Sequence, residues 1–201
     1  MKKIYITNIP LQGRGQLLKF LYEPCDFEIK NNRETSFPII PVIASQHEKG
    51  DEVKILAIRS NHSETPDNYA VFLRELNLLG ICEEQIREIN MTENQNSEEN
   101  LKLLLAVLEE IPEEALVYGD ITYGTKPMAA ILLYVMGFAE KMKSCEVNGI
   151  YYGEIRRSDN KPTCAILYDL TVLKLLEDLI DEMKGMGISK MREAINRLIG
   201  L

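Results

Sequence analysis

The stretch from Ala115 to Lys143 places the tightest limit on what this chain can become. Ala115-Leu116-Val117-Tyr118 is a short apolar run, and the turn Asp120-Ile121-Thr122-Tyr123-Gly124-Thr125-Lys126 follows it. A helical pattern then runs from Pro127 to about Lys143. An apolar run too short for a helix, a glycine-containing turn and a proline at a helix start read as a buried strand feeding a helix. Units of this kind stack into an α/β sheet, where ligands sit in the crevice beyond the carboxyl ends of the strands. Helix-start amides beside a lysine suit an anion, so the turn is expected to hold a phosphate-bearing ligand.

The rest of the chain repeats the alternation. Lys2–Ile9 reads as a first strand, stopped by Pro10 and a flexible Leu11-Gln12-Gly13-Arg14-Gly15 turn. Gln16–Tyr22 has helical spacing, and Ser36–Ser45 is rich in β-formers with Pro38 and Pro41, suiting an irregular edge strand. Val53–Arg59 reads as a buried strand, Asp67–Leu79 as an amphipathic helix, Glu88–Met91 as a short strand and Leu101–Ile111 as a helix closed by Pro112. Cys145–Ile155 and Thr163–Tyr168 are two strands joined by a hairpin turn at Ser158-Asp159-Asn160-Lys161. Leu170–Met183 and Ile188–Leu201 are two helices broken at Gly185-Met186-Gly187.

The expected fold is therefore α/β: a mostly parallel sheet with helices on both faces, to which a closing β-hairpin and C-terminal helices are added. Residues 1–168 form the domain and 169–201 a helical connector or dimerisation segment. The apolar Leu198, Ile199 and Leu201 imply either a packed partner protomer or a continuation into an effector domain.

With 201 residues and a formal net charge of −8, the chain lacks the basic excess of a general nucleic-acid binder, so direct contact with duplex DNA is not expected. The four cysteines, at 25, 82, 145 and 164, have neither metal-ligand spacing nor the pattern of a disulfide framework. Reduced thiols and a cytoplasmic location follow as the expectation. No apolar run approaches the ~18 residues that would span a bilayer, and the Met-Lys-Lys-Ile-Tyr-Ile-Thr opening alternates like a strand rather than a signal peptide.

Three polar loops are expected to meet at one sheet edge. The first holds Thr7, Asn8, Pro10, Gln12, Gly13 and Arg14; it lacks the full GxGxxG pattern of a nicotinamide site. The second is Asp120 to Lys126, in which Asp120 and Thr122 can tie the turn, Thr125 offers a hydroxyl and Lys126 a point charge. The third is Arg59-Ser60-Asn61-His62, with Asn61 the candidate ligand contact. His47 and His62 are the only histidines, which leaves no His-rich metal cluster, and neither a metal nor a cofactor is expected.

Asp120-Ile121-Thr122-Tyr123-Gly124 resembles the D-x-T-H-G strand-and-turn motif of CRISPR-associated Rossmann-fold (CARF) domains. Tyr123 stands where the family has histidine, and Lys126 where it commonly has arginine. Gly149-Ile150-Tyr151-Tyr152-Gly153 and Leu167-Tyr168-Asp169-Leu170-Thr171 resemble the family's next strand and the start of its following helices, and Met1–Pro10 its opening strand and loop. The resemblance implies a Rossmann-like sensor of type III CRISPR antiviral defence. Such a sensor is a homodimer that binds a cyclic oligoadenylate, foremost cyclic tetra-adenylate, across its two-fold axis. Asn8, Pro10, Gln12, Gly13 and Arg14 would line one wall, and Thr122, Tyr123, Gly124, Thr125 and Lys126 the other. The family's effectors vary and are commonly HEPN-type ribonucleases, whose R-x-x-x-x-H signature is absent here, since no histidine follows residue 62. Relatives that cleave the ring carry Gly-Thr-Lys at this turn, so Gly124-Thr125-Lys126 also implies a slow, metal-independent ring nuclease in which Lys126 and Thr125 are the catalytic pair. A third reading is a CARF-type transcription regulator.

Overall fold

The computed structural model describes residues 1–13, 17–61, 65–159 and 161–198, and of residues 65 and 66 the backbone only. It divides into two compact units, Met1–Leu170 and Thr171–Leu201.

The first unit is an open α/β sheet. Its strands are β1 (Lys2–Asn8), β2 (Phe20–Cys25), β3 (Glu34–Thr35), β4 (Glu52–Ser60), β5 (Ile86–Met91), β6 (Leu116–Asp120), β7 (Glu146–Ser158) and β8 (Lys161–Asp169). Its helices are α1 (Ile39–Gln46), α2 (Thr65–Asn77), α3 (Ser97–Glu110) and α4 (Lys126–Lys143). The strand order is β3-β2-β8-β7-β6-β1-β4-β5. From β7 to β5 every pairing is parallel, whereas β8 runs antiparallel to β7 and receives β2 alongside it.

Alternation along each strand divides the core between the two faces. Ile4, Ile6, Leu56, Ile58 and Val117 point into a layer with α3 and α4, while Tyr5, Ile55, Ala57 and Tyr118 point into a layer with α1 and α2. Side chains of period two, buried on both faces, are what a covered parallel sheet demands. After β1 the chain runs to the far edge as β2 and β3, returns to place β4 and then β5 on one side of β1, and crosses back to place β6 on the other. The reversal between β1 and β6 opens a crevice at their carboxyl ends.

Three segments differ from the sequence expectation. The expected Gln16–Tyr22 helix is instead irregular over 17–19 and enters β2 at Phe20 (Gln16 itself lies outside the described residues): Tyr22 is fully buried while its neighbour Leu21 is exposed, a period of two rather than 3.6. Pro24 is tolerated there because β3 pairs only with Phe20 and Leu21, leaving that edge uncovered. The expected Ser36–Ser45 strand contains α1, whose Ile39, Ile40, Pro41, Val42 and Ile43 are all buried. Burial all round overrides the β-propensity of that run, and Pro41 falls in the first turn, where its missing N–H has no helical partner to lose. The closing hairpin is part of the sheet, with β8 held between β7 and β2.

The second unit is a helical hairpin, α5 (Val172–Glu182) and α6 (Gly187–Leu198), turned at Gly185 and Gly187, both with positive φ. Leu176, Leu179 and Ile180 of α5, with Met183 just after it, and Ile188, Met191 and Ile195 of α6 line an apolar groove of about 410 Å³.

Candidate functional site

The crevice between β1 and β6 is framed by the two loops that the sequence singles out. Asp120, the last residue of β6, lies beside Thr7 in the ladder and is fully buried. The Thr7 hydroxyl donates to Asp120 Oδ2 at 2.9 Å, and the Thr122 amide to Oδ1 at 2.9 Å. Burial pushes the Asp120 carboxyl above the usual carboxylate range, against the opposing pull of its hydrogen bonds from Thr122, Thr7 and the Ile39 amide. Thr122 in turn accepts from the Gly153 amide at 2.7 Å, and the Tyr123 hydroxyl donates to the Ser36 carbonyl at 2.8 Å. Asp120, Thr122 and Tyr123 thus bind the turn to its own scaffold: to β1, to β7 and to the segment before α1.

The turn then presents Gly124 and Thr125 to the crevice. Gly124 has φ +99°, a conformation that side chains rarely adopt, and a Cβ built on it would sit 3.2 Å from both Asn8 Cγ and Met128 Cβ. The peptide at Gly124 therefore packs directly on the Asn8 side chain. Thr125 is the N-cap of α4, yet its hydroxyl makes no capping bond, and Pro127 follows in the first turn. Asn8, Ile9, Leu11, Ile58, Ser60, Met91, Gly124 and Thr125 line one notch of about 20 Å³, which the ends of β1, β4 and β5 and the turn between β6 and α4 all reach. A space of that size takes about one water-sized polar group.

Two side chains in the notch stand out. Asn8 is 2% exposed, and both its amide nitrogen and its carbonyl oxygen lack a hydrogen-bond partner among the described residues. The buried Thr125 hydroxyl is in the same position. Leaving a buried polar group unmatched costs about 1–3 kcal/mol, so native chains rarely tolerate two side by side without use.

Of the sequence candidates, the structure brings Asn8, Gly124 and Thr125 together. Thr7, Asp120, Thr122 and Tyr123 support them from behind. Pro10 and Gln12 give their carbonyls to the Asn68 side-chain amide of α2, at 2.8 and 2.9 Å, which fixes the β1 loop, with Gly13 next along it. Lys126 is exposed at the first turn of α4 and Asn61 is exposed after β4; neither lines the notch. Arg14 and His62 lie outside the described residues. Arg59 is engaged with Glu88 at 2.9 Å and stacks on Tyr69. Ile58 and Met91 are walls that sequence reasoning missed; their only signal is that each lies at or near the end of its strand.

Among the described residues no group of three or more His, Cys, Asp and Glu could hold a metal ion, and no helix is long and apolar enough to cross a membrane. No protein-family model matches the chain, and a search of curated proteins finds no match either. Fold and site together define an open, doubly wound α/β domain with a small, mostly apolar notch at its switch point that holds two unmatched polar side chains.

Proposed function

We propose that this chain is a CARF-type sensor that binds a cyclic oligoadenylate, cyclic tetra-adenylate foremost, as a homodimer in antiviral defence. One observation carries the reading: the unmatched Asn8 amide and Thr125 hydroxyl share a notch at the switch point, beside the N-terminus of an 18-residue helix. Two donors and the positive end of a helix dipole suit a phosphate oxygen, and the exposed Lys126, next in the chain after Thr125, would add charge for a ligand that extends beyond the notch. A notch of about 20 Å³ cannot enclose a nucleotide. It can anchor one group of a larger ring that lies over the sheet edge, and a symmetric ring meets the same contacts from two copies on a two-fold axis.

A second copy is also suited by the outer surface of α3 and α4. Leu101 and Leu105 on α3, and Tyr134, Phe138 and Met142 on α4, are all exposed and recur at helical spacing of four. The two helices pack side by side, and α4 begins at the notch, so a copy docked there adjoins the ligand edge.

A thermal-shift panel of cyclic tri-, tetra- and hexa-adenylate tests the proposal, because a ligand that prefers the native state raises the unfolding midpoint by mass action. Stabilisation by one ring size supports it; no shift with any ring at saturating concentration overturns it. Chromatography of the tetra-adenylate after long incubation separates sensing from ring cleavage by Lys126 and Thr125.

A further inference from the structure

The hairpin α5–α6 carries an apolar seam that it does not bury. On α5 the seam is Val172, Leu176 and Leu179, with Met183 just after the helix, and on α6 it is Ile188, Met191, Ile195 and Leu198. Alternating steps of three and four are the spacing of helices packed side by side in a bundle. The middle of both seams lines the groove of about 410 Å³, yet no apolar side chain of either helix is buried. Ile180 is 64% exposed and Ile188 69%. Helices of 11 and 12 residues are marginal in water on their own, and two of them enclose too little apolar surface to compensate.

Charge decides what can cover the seam. Helix α5 holds Glu177, Asp178, Asp181 and Glu182 against Lys174 alone, a net charge of −3. Helix α6 holds Lys190, Arg192 and Arg197 against Glu193 alone, a net charge of +2. These sums include the pairs closed inside each helix, Lys174 with Asp178 at 2.7 Å and Arg197 with Glu193 at 2.6 Å. At about 100° per residue, Glu177 and Glu182 fall on opposite flanks of the α5 seam, and Lys190 and Arg192 on opposite flanks of the α6 seam. A uniformly acidic partner suits α6 and repels α5, and a uniformly basic one does the reverse. A surface made of one acidic and one basic helix is complementary to itself.

We infer that α5–α6 is a self-association module: the hairpin of a second copy closes the groove and gives a four-helix bundle about a two-fold axis parallel to the helices. Such an axis sets each α5 antiparallel to α6 of the other copy, so every acidic helix has a basic helix on both sides. The seams become the bundle core, and both chains enter the bundle at the same end. The module needs no nucleotide, so its failure and the failure of the ligand reading are separate outcomes.

Sedimentation velocity of the full chain without nucleotide tests this. The wild type is expected to be dimeric, and Ile188→Glu/Ile195→Glu to weaken the dimer at least about 100-fold. A charge exchange separates a bundle from general adhesion of apolar surface. Glu177→Lys/Glu182→Lys leaves both helices net basic, and Lys190→Glu/Arg192→Glu leaves both net acidic. Each variant alone should dimerise more weakly than wild type, and an equal mixture should form a heterodimer at least about tenfold tighter than either homodimer. Repulsion within each hairpin is the same in homodimer and mixture, so the comparison reads the contact between copies even where a variant loosens its own hairpin. A wild type that stays monomeric at about 100 μM, a dimer undiminished in Ile188→Glu/Ile195→Glu, or a mixture no tighter than its components would each overturn the inference. A dimer that survives the seam variant would also move the two-fold to another face, such as that of α3 and α4, and leave the ligand test intact.

Discussion

Strand β1 carries a buried polar residue near each end, and the two ends are treated in opposite ways. Near the amino end Lys3, 5% exposed, meets Asp51 Oδ2 at 2.7 Å and also donates to the Gln46 carbonyl. Asp51 is further held by the Glu48 amide and lies 3.4 Å from the chain's N-terminal ammonium. At the carboxyl end Asn8 is buried as deeply and is matched to nothing in the described protein. Lys3 and Asp51 are thus matched within the protein at one end of β1 while Asn8 is left open at the other, although the Tyr5 hydroxyl on the same strand also lacks a partner among the described residues. The closed end serves stability, and the open end is where the proposed ligand would supply the missing partners.

The largest effect that separates the ends is expected from Lys3→Met. Removing one partner of a buried pair leaves an uncompensated charge, and chemical denaturation should report a loss of about 3 kcal/mol. Acid should erode the same contribution without a mutation. The hydrogen bond from Lys3, with that from the Glu48 amide, holds the Asp51 carboxyl down at about 2, against an ordinary value of 3.8. A carboxyl depressed in the folded state stabilises above its unfolded pKa and loses that contribution as pH falls through the folded one. The difference in unfolding midpoint between wild type and Asp51→Asn should therefore shrink as pH is lowered from about 4 to about 2. A constant difference would dissolve the assignment.

Next in size is Gly124→Ala, expected to cost about 2 kcal/mol through its strained positive φ. It should also abolish the ligand response, because the added Cβ presses on Asn8 at 3.2 Å. Smallest, and opposite in kind, is Asn8→Leu. With no hydrogen bond to lose among the described residues, its stability should stay within about 1 kcal/mol of wild type, while ligand response disappears. A loss as large as that of Lys3→Met would mean that both ends of β1 are structural, and the contrast would fail.

The alternation of strand and helix was readable because each unit announced itself. Ile4 and Ile6 alternate in β1, Val53–Arg59 is a dense apolar run, and Pro127 marks the start of α4. Where one local signal stood for two structures, the reading went astray. Ile39–Ile43 is β-branched and apolar, yet it folds as a helix because tertiary burial decides, and Tyr22 is a strand residue whose partner, Ala165, lies far along the sequence. The turn from Asp120 to Lys126 was legible as a site element, since composition alone marks a strand-to-helix turn. The division of labour inside it was not. That Thr122 and Tyr123 hold the turn while Thr125 faces the notch depends on Gly153 and Ser36, contacts across 31 and 87 residues that no local pattern encodes.

The most direct test of the open end is calorimetric titration of cyclic tetra-adenylate into the wild-type chain and into Asn8→Leu. The expected result is saturable binding at one ring per two chains in the wild type, and its loss in a variant that unfolds at the wild-type midpoint. Undiminished binding by a folded Asn8→Leu, or no binding by the wild type, contradicts it.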